Sequence, residues 1–368
     1  MQTSAQAIDN LLRRKAAEFV PLHDSPWGDT LRKWTGQGMP KDANGNAVDP
    51  IDHFGFDMAH CGGWFDWMPR RGVSEIVEET GEWKIVRNGA GAMLKWWKEK
   101  SGTPEHIGFH MTTREIWERE YRPLLTTFDR ARLGDLPGVA AGLARRRSQG
   151  KWCYYGNQFI WENLRASLGD ENMFIALATE PAWIHDFSRV YTDLYKACFK
   201  IILEEAGKPD GVWIYEDLGY RDRLFVNPRI LEELIFPYYR EMVDFFHGYD
   251  LPVILHSCGY QEPMLPLAVQ AGFDAVNPME VKAGNDIFKY AERYGDRLAF
   301  VGGLDARILE SKDRPRIRKG ITDLITGMRE RGARFVYGSD HSLSTEIDYQ
   351  DFLYSLSVYR ELRAELPV

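Results

Sequence analysis

The sequence predicts an α/β fold: a single (β/α)8 barrel of the TIM type, with an N-terminal elaboration containing a β-hairpin and extra helices. Three observations predict it. Five short β-branched or aromatic runs alternate with segments of helical length through the C-terminal half, which demands parallel strands joined by crossover helices. Their starts lie 41, 21, 25 and 35 residues apart, so no fixed-period solenoid is being built. No Pro/Gly/Ser-rich linker divides the 368 residues, although that length would accommodate two average domains. The expectation is one domain over 1–368, with 1–150 as an irregular part holding the insert and 151–368 as regular β/α units.

Taken in order, residues 1–19 carry an amphipathic helix pattern without an apolar core segment or cleavage signature. Strands are read at 18–23 and 51–57, and 73–89 alternates like an antiparallel hairpin turning near Gly81. Helices follow at 113–127 and 137–147, a strand at 151–156, then helices at 157–168 and 181–206, the latter opened by Glu180-Pro181. The regular units run 211–217 with 228–247, 252–259 with 262–271, and 273–280 with 285–294. The last two are 298–305 with 313–331, and 333–341 with 349–366.

Composition narrows the class. Apolar residues make up 44% and charged residues 27%, as in ordinary globular proteins, which excludes disorder as the main state. With 46 Lys+Arg against 54 Asp+Glu the net charge is −8, which argues against nucleic acid or an anionic membrane as partner. The longest apolar stretches, such as 198–203, fall far short of a bilayer span. Four cysteines without a CxxC cannot staple a secreted scaffold. A soluble, cytoplasmic protein is expected, in which any functional cysteine acts as a thiolate.

In a parallel barrel the chemistry collects where strands end and loops begin. The five predicted strands deliver Glu216 and Asp217, His256 and Cys258, Glu280, Asp305, and Asp340 with His341 to those ends. A merely solvated rim would offer lysine, serine and asparagine more often. The sharpest element is His256-Ser257-Cys258-Gly259. Residues i and i+2 of an extended strand project to one face, so imidazole and thiolate can meet one metal ion, and Gly259 permits a sharp turn beside them. The bland alternative is a buried cysteine beside a hydrogen-bonded core histidine; the strand-end position favours the metal. Catalytic zinc takes three protein ligands, and Glu280, Asp340 and His341 are candidates for the third.

Glu216 and Asp217 are adjacent, so only one can face the interior. Together with Glu280, which ends a buried strand where an unpartnered charge is costly, they are the candidate catalytic carboxylates. His60-Cys61, followed by Gly62-Gly63, reads as a structural or pocket-lining loop. Eight of the twelve tryptophans precede residue 120, with Trp27, Trp34, Trp64, Trp67 and Trp83 accompanying Phe54, Phe56 and Phe65. Most must be core, while some suit a pocket for an aryl ring or a methylated cation. Trp27, Trp64, His60 and Asp305 are the candidate substrate contacts.

At VILHSCG, with DAVNPME, LAFVGGLD and FVYGSDHS following in order, the chain resembles the uroporphyrinogen decarboxylase superfamily, and within it the cobalamin-linked methyltransferase branch. The resemblance covers 180–366 well and the N-terminal half loosely. It implies a TIM barrel in which His256 and Cys258 bind zinc together with a later cysteine near the last strand. That cysteine is missing, since the strand end reads Gly338-Ser339-Asp340-His341, so Asp340 or His341 must substitute. The decarboxylase's N-terminal Arg-Gln-Ala-Gly-Arg signature is also absent; the first strand runs instead into Pro21-Leu22-His23-Asp24-Ser25, which is poorly suited to a porphyrinogen's carboxylates.

The resemblance implies transfer of a methyl group from a small O- or N-methylated substrate to a corrinoid, assisted by zinc. A carboxylic acid such as Glu216 or Glu280 could protonate the leaving group instead. No Asp-x-His-x-x-Gly corrinoid motif occurs, so a separate corrinoid-binding protein is the expected partner, and a homodimer is compatible with the sequence. Two rivals stand beside this reading. One is a metal-independent decarboxylase or lyase gripping a small carboxylate with Arg221 and Arg223; the other is a non-catalytic barrel that binds a small molecule or a corrinoid protein.

Overall fold

The computed structural model describes residues 2–100 and 102–363. Met1 of the first predicted helix and 364–366 of the last lie outside the described residues. In chain order the strands are β1 (Met58–Gly62), β2 (Ser74–Glu79), β3 (Trp83–Asn88), β4 (Met93–Trp97), β5 (Glu105–Gly108), β6 (Trp152–Gln158) and β7 (Gly211–Tyr215). They continue as β8 (Val253–His256), β9 (Ala275–Asn277), β10 (Ala299–Val301) and β11 (Phe335–Val336). Seven of them form one parallel sheet in the order β1-β6-β7-β8-β9-β10-β11. The predicted hairpin forms as β2 and β3, paired from Ser74↔Asn88 to Glu79↔Lys84, within a separate antiparallel sheet β2-β3-β4-β5.

The segment at 18–23 forms no regular strand, yet it joins the two edges of the parallel sheet. Pro21 has no N–H, so the ladder reduces to one parallel bridge, Leu22↔Tyr337. His23 N donates to Tyr337 O (2.9 Å), Tyr337 N to Pro21 O (2.8 Å) and Asp57 N to Leu22 O (2.8 Å). The strand expected at 51–57 is instead the helix Pro50–Phe54, with Asp49 capping Ile51 N and Pro50 at its first position. Gly55, at φ 79°, ends that helix, and β1 begins at Met58. His60 and Cys61 therefore sit on a strand rather than in a loop. The helix expected over 228–247 divides into Pro228–Leu234 and Phe236–His247, because Pro237 cannot donate to the preceding turn.

Strand alternation sorts the core into two layers. Val212, Ile214, Leu255, Val276, Phe300 and Phe335 face the surrounding helices. Met58, Trp152, Trp213, Ile254, Ala275 and Val336 face the interior of the curled sheet. The helix Ser4–Leu12, started by a Thr3–Gln6 capping box, inserts Ala7, Ile8, Leu11 and Leu12 among the interior residues at the end where the strands begin. That end is closed, so the other end is left for a ligand. No helix among the described residues is long and apolar enough to cross a membrane.

Leu11 is fully buried in this plug. Leu11→Ala is expected to lower unfolding free energy by about 2–5 kcal/mol, read by chemical denaturation; a loss under about 1 kcal/mol would mean that the helix does not plug the sheet.

Candidate functional site

A cavity of about 510 Å³ opens at the C-terminal ends of the parallel strands. Alternation along β7 and its continuation builds one side of it: Trp213, Tyr215 and Asp217 line the cavity, while Glu216 between them faces outward. β8 supplies the neighbouring side with His256 and, just past the strand, Cys258. One ligand atom from each of Asp217, His256 and Cys258 lies within 4.8 Å of the other two, the one such group found among the described residues. His256 Nε2 is 3.4 Å from Cys258 Sγ and 3.4 Å from Asp217 Oδ1. Asp217 Oδ1 also accepts from Cys258 N at 2.9 Å, which ties the carboxylate to the His256–Cys258 turn. Gly259 follows at φ 76°, and a Cβ there would meet the Gly219 and Tyr220 backbone below 3.0 Å, so the turn requires glycine.

The imidazole is oriented from behind. Asn277 Nδ2 donates to Val301 O at 2.8 Å, which turns its Oδ1 toward His256 Nδ1 at 2.5 Å. A carbonyl oxygen can only accept, so Nδ1 carries a proton and Nε2 is the nitrogen turned toward Asp217 and Cys258, the one that can give up its proton to a metal. This is the arrangement by which metal-ligating histidines are held. His341 lines the same cavity, and its pKa is raised chiefly by its hydrogen bond to Cys258, which puts a second imidazole beside the sulfur.

Burial alone would lower His256, but the Cys258 and Asp217 charges outweigh it and hold its pKa well above the ordinary value. Burial alone would raise Asp217, but the His256 and Cys258 N–H hydrogen bonds hold its carboxyl below the usual range. Sulfur and carboxylate thus converge on one imidazole. Without metal, a second proton on that ring balances them; a divalent cation can displace it, and sulfur, nitrogen and oxygen at this spacing suit zinc.

Other expected site residues lie elsewhere. Glu216 is fully buried outside the cavity, accepting from Phe159 N, Trp161 N and the Tyr239 hydroxyl; burial pushes its pKa up to about 8. It is a structural anchor, and the catalytic expectation is corrected. Glu280 accepts from Gly259 N at 2.8 Å and pairs with Lys282 at 2.9 Å, so it braces the turn without reaching the cavity. Asp340 is 2% exposed, with its two oxygens accepting from Ala306 N and Val281 N, and it neither lines the cavity nor joins the Asp217, His256 and Cys258 group. Asp305 caps the helix Ala306–Glu310 and pairs with Arg307, so it is not a substrate contact.

Trp27 lines the cavity, whereas Trp64 stacks on Tyr215 at 6.1 Å from outside the lining. His60 packs its ring 5.5 Å from Tyr154, again outside the lining. Arg223 pairs with Asp222 on the surface, and neither it nor Arg221 reaches the cavity. Sequence reasoning missed Asn277, which shares the inward face of β9 with Ala275, and it missed His23 and Asp24. The signal for the latter pair was their place at the end of the 18–23 segment.

The family model described as Uroporphyrinogen decarboxylase (URO-D) matches residues 165–361, just over half of the chain. A search of curated proteins finds no significant match. Among solved structures, a methyltransferase from Methanosarcina mazei is similar over 98% of this chain and 99% of its own, with 13% identity and a TM-score of 0.66, a likeness of fold. A Xaa-Pro dipeptidase with methionine bound in its active site aligns over 63% of this chain and 60% of its own at 13% identity; its TM-score of 0.31 is too low to carry an argument.

In metal-free protein the His256 ring is expected to stay protonated above its ordinary value of about 6.5, followed by NMR titration. Because the folded value is raised, its stabilisation is fully present below the unfolded value and is lost as pH rises through the folded one. Asp217→Asn should move the ring back toward the ordinary value; an unshifted wild-type ring would contradict the geometry.

Proposed function

The chain belongs to the uroporphyrinogen decarboxylase family, and we propose that within it this protein is a methyltransferase built on a (β/α)8 barrel. It moves a methyl group from a small O- or N-methylated donor to a corrinoid carried by a partner protein. Zinc is held by His256, Cys258 and Asp217, with His341 beside them. The observation that carries this reading is the convergence of a cysteine sulfur, an oriented imidazole and a carboxylate in one strand-end cavity. Relative to the sequence expectation, Asp217 takes the place of Asp340 as the oxygen donor.

Bound there, zinc would supply a Lewis acid for the oxygen or nitrogen that loses the methyl group, worth several kcal/mol. The chain's own residues prepare for it. Asn277 keeps the Nε2 lone pair available, and the Cys258 N–H keeps the Asp217 carboxylate aimed and ionised. Tyr154, Trp213 and Tyr215 wall the cavity with rings that exclude water from the transfer. A carboxylic acid proton donor is not needed, which agrees with Glu216 and Glu280 facing elsewhere. A carboxylate-gripping decarboxylase is disfavoured, because no lysine or arginine among the described residues lines the cavity.

Purified protein is expected to contain stoichiometric zinc by elemental analysis, lost in His256→Ala and in Cys258→Ala. Asn277→Ala should keep the ligands but weaken zinc binding by about 10–100-fold. Methyl transfer to added cob(I)alamin, read by its absorbance, should fall in parallel. Zinc content unchanged in Cys258→Ala, or chelator-insensitive release of carbon dioxide from a small carboxylate, would overturn the reading.

A further inference from the structure

The cavity has a second end, with different chemistry. Around the parallel sheet the Leu22 segment and β8 lie opposite each other: β1, β6 and β7 intervene on one side, β9, β10 and β11 on the other. His23 and Asp24 leave that segment, and Ser339 follows β11; all three line the cavity that His256 and Cys258 line from across it. Asp24 Oδ1 is engaged by Ser25 N at 3.0 Å and by the Ser339 hydroxyl at 2.6 Å. Among the described residues its Oδ2 accepts only from Ser339 N, at 3.3 Å, so this oxygen keeps lone pairs for a ligand.

Charge at this end is one-sided. Burial pushes Asp24 up only to about 6, which leaves it an anionic acceptor at neutral pH. Burial pushes His23 down to about 4, so it adds no positive charge. With no lysine or arginine among the described residues in the lining, a ligand carboxylate would meet Asp24 uncompensated. A hydroxyl or amino group would instead find an acceptor.

Between the two ends the walls are aromatic. Trp213 lies 5.0 Å from Tyr154 and 6.0 Å from Tyr215, the latter ring tilted from it by only 19°. The buried Trp213 Nε1 has no hydrogen-bond partner among the described residues, a donor left over at the wall. Flat rings along a channel suit a flat ligand.

We propose that the methyl donor is a small aromatic molecule held at both ends, its methyl-bearing heteroatom toward His256 and Cys258 and a ring hydroxyl or amino group on Asp24. The first end rests on the methyltransferase reading; the second stands on the Asp24 wall alone. Ligands that carry a carboxylate at that position are rejected.

Calorimetric titration of the zinc-loaded full chain with anisole, meta- and para-methoxyphenol, the matching methoxybenzoates and tetramethylammonium tests this. The better methoxyphenol is expected to bind about tenfold or more tighter than anisole, the size of a hydrogen bond to a charged acceptor. The methoxybenzoates and tetramethylammonium should bind more weakly than that methoxyphenol. Asp24→Ala should close the gap between methoxyphenol and anisole; Asp24→Asn, nearly isosteric, should narrow it and serves if the alanine variant does not fold. A methoxybenzoate or tetramethylammonium binding best, a gap that survives both substitutions, or no binding by any probe would overturn the proposal. His256→Ala separates the two readings: with zinc retained in that variant and the phenol gap intact, the methyltransferase reading fails and the Asp24 subsite stands.

Discussion

The side-chain amide of Asn277 bonds to the strands on either side of its own, and the chemistry of the site depends on it. By donating to Val301 O it presents its oxygen to His256 Nδ1, and that single orientation decides which imidazole nitrogen keeps a lone pair. Were the amide reversed, its Nδ2 would donate to Nδ1 and Nε2 would carry the ring's proton, pointed at the sulfur and carboxylate with which it would have to share a metal. The same residue sits inside the curled sheet, where an unpaired amide would be expensive, so packing and function hold it in one state.

Much of the fold was legible because parallel β/α units announce themselves through alternating apolar runs and helical segments. The runs at 211–217 and 252–259 form β7 and β8 close to where spacing put them. What was illegible followed from local chemistry that overrides pattern. The 18–23 run looks like a strand, but Pro21 limits it to a single bridge. The aromatic 51–57 run is a helix because Asp49 and Pro50 start one and Gly55 ends it.

The site divides along the same line. His256-x-Cys258 was readable because period-two geometry brings i and i+2 together, and the same rule said that only one of Glu216 and Asp217 could face inward. Which one required knowing the pleat: Trp213 and Tyr215 line the cavity, so Asp217 joins them and Glu216 turns to the helices. Glu280, Asp305 and Asp340 were over-read because strand ends need acceptors for the backbone N–H groups of the loops and helices that follow. A carboxylate used for that is indistinguishable in sequence from one that holds a metal.

The central claim is that Asp217, His256 and Cys258 share one zinc ion. X-ray absorption at the zinc edge of the purified protein addresses it most directly. The account predicts one sulfur scatterer at about 2.3 Å and nitrogen or oxygen scatterers at about 2.0–2.2 Å, with the sulfur contribution lost in Cys258→Ser. A spectrum of oxygen and nitrogen scatterers alone in the wild-type protein would contradict it.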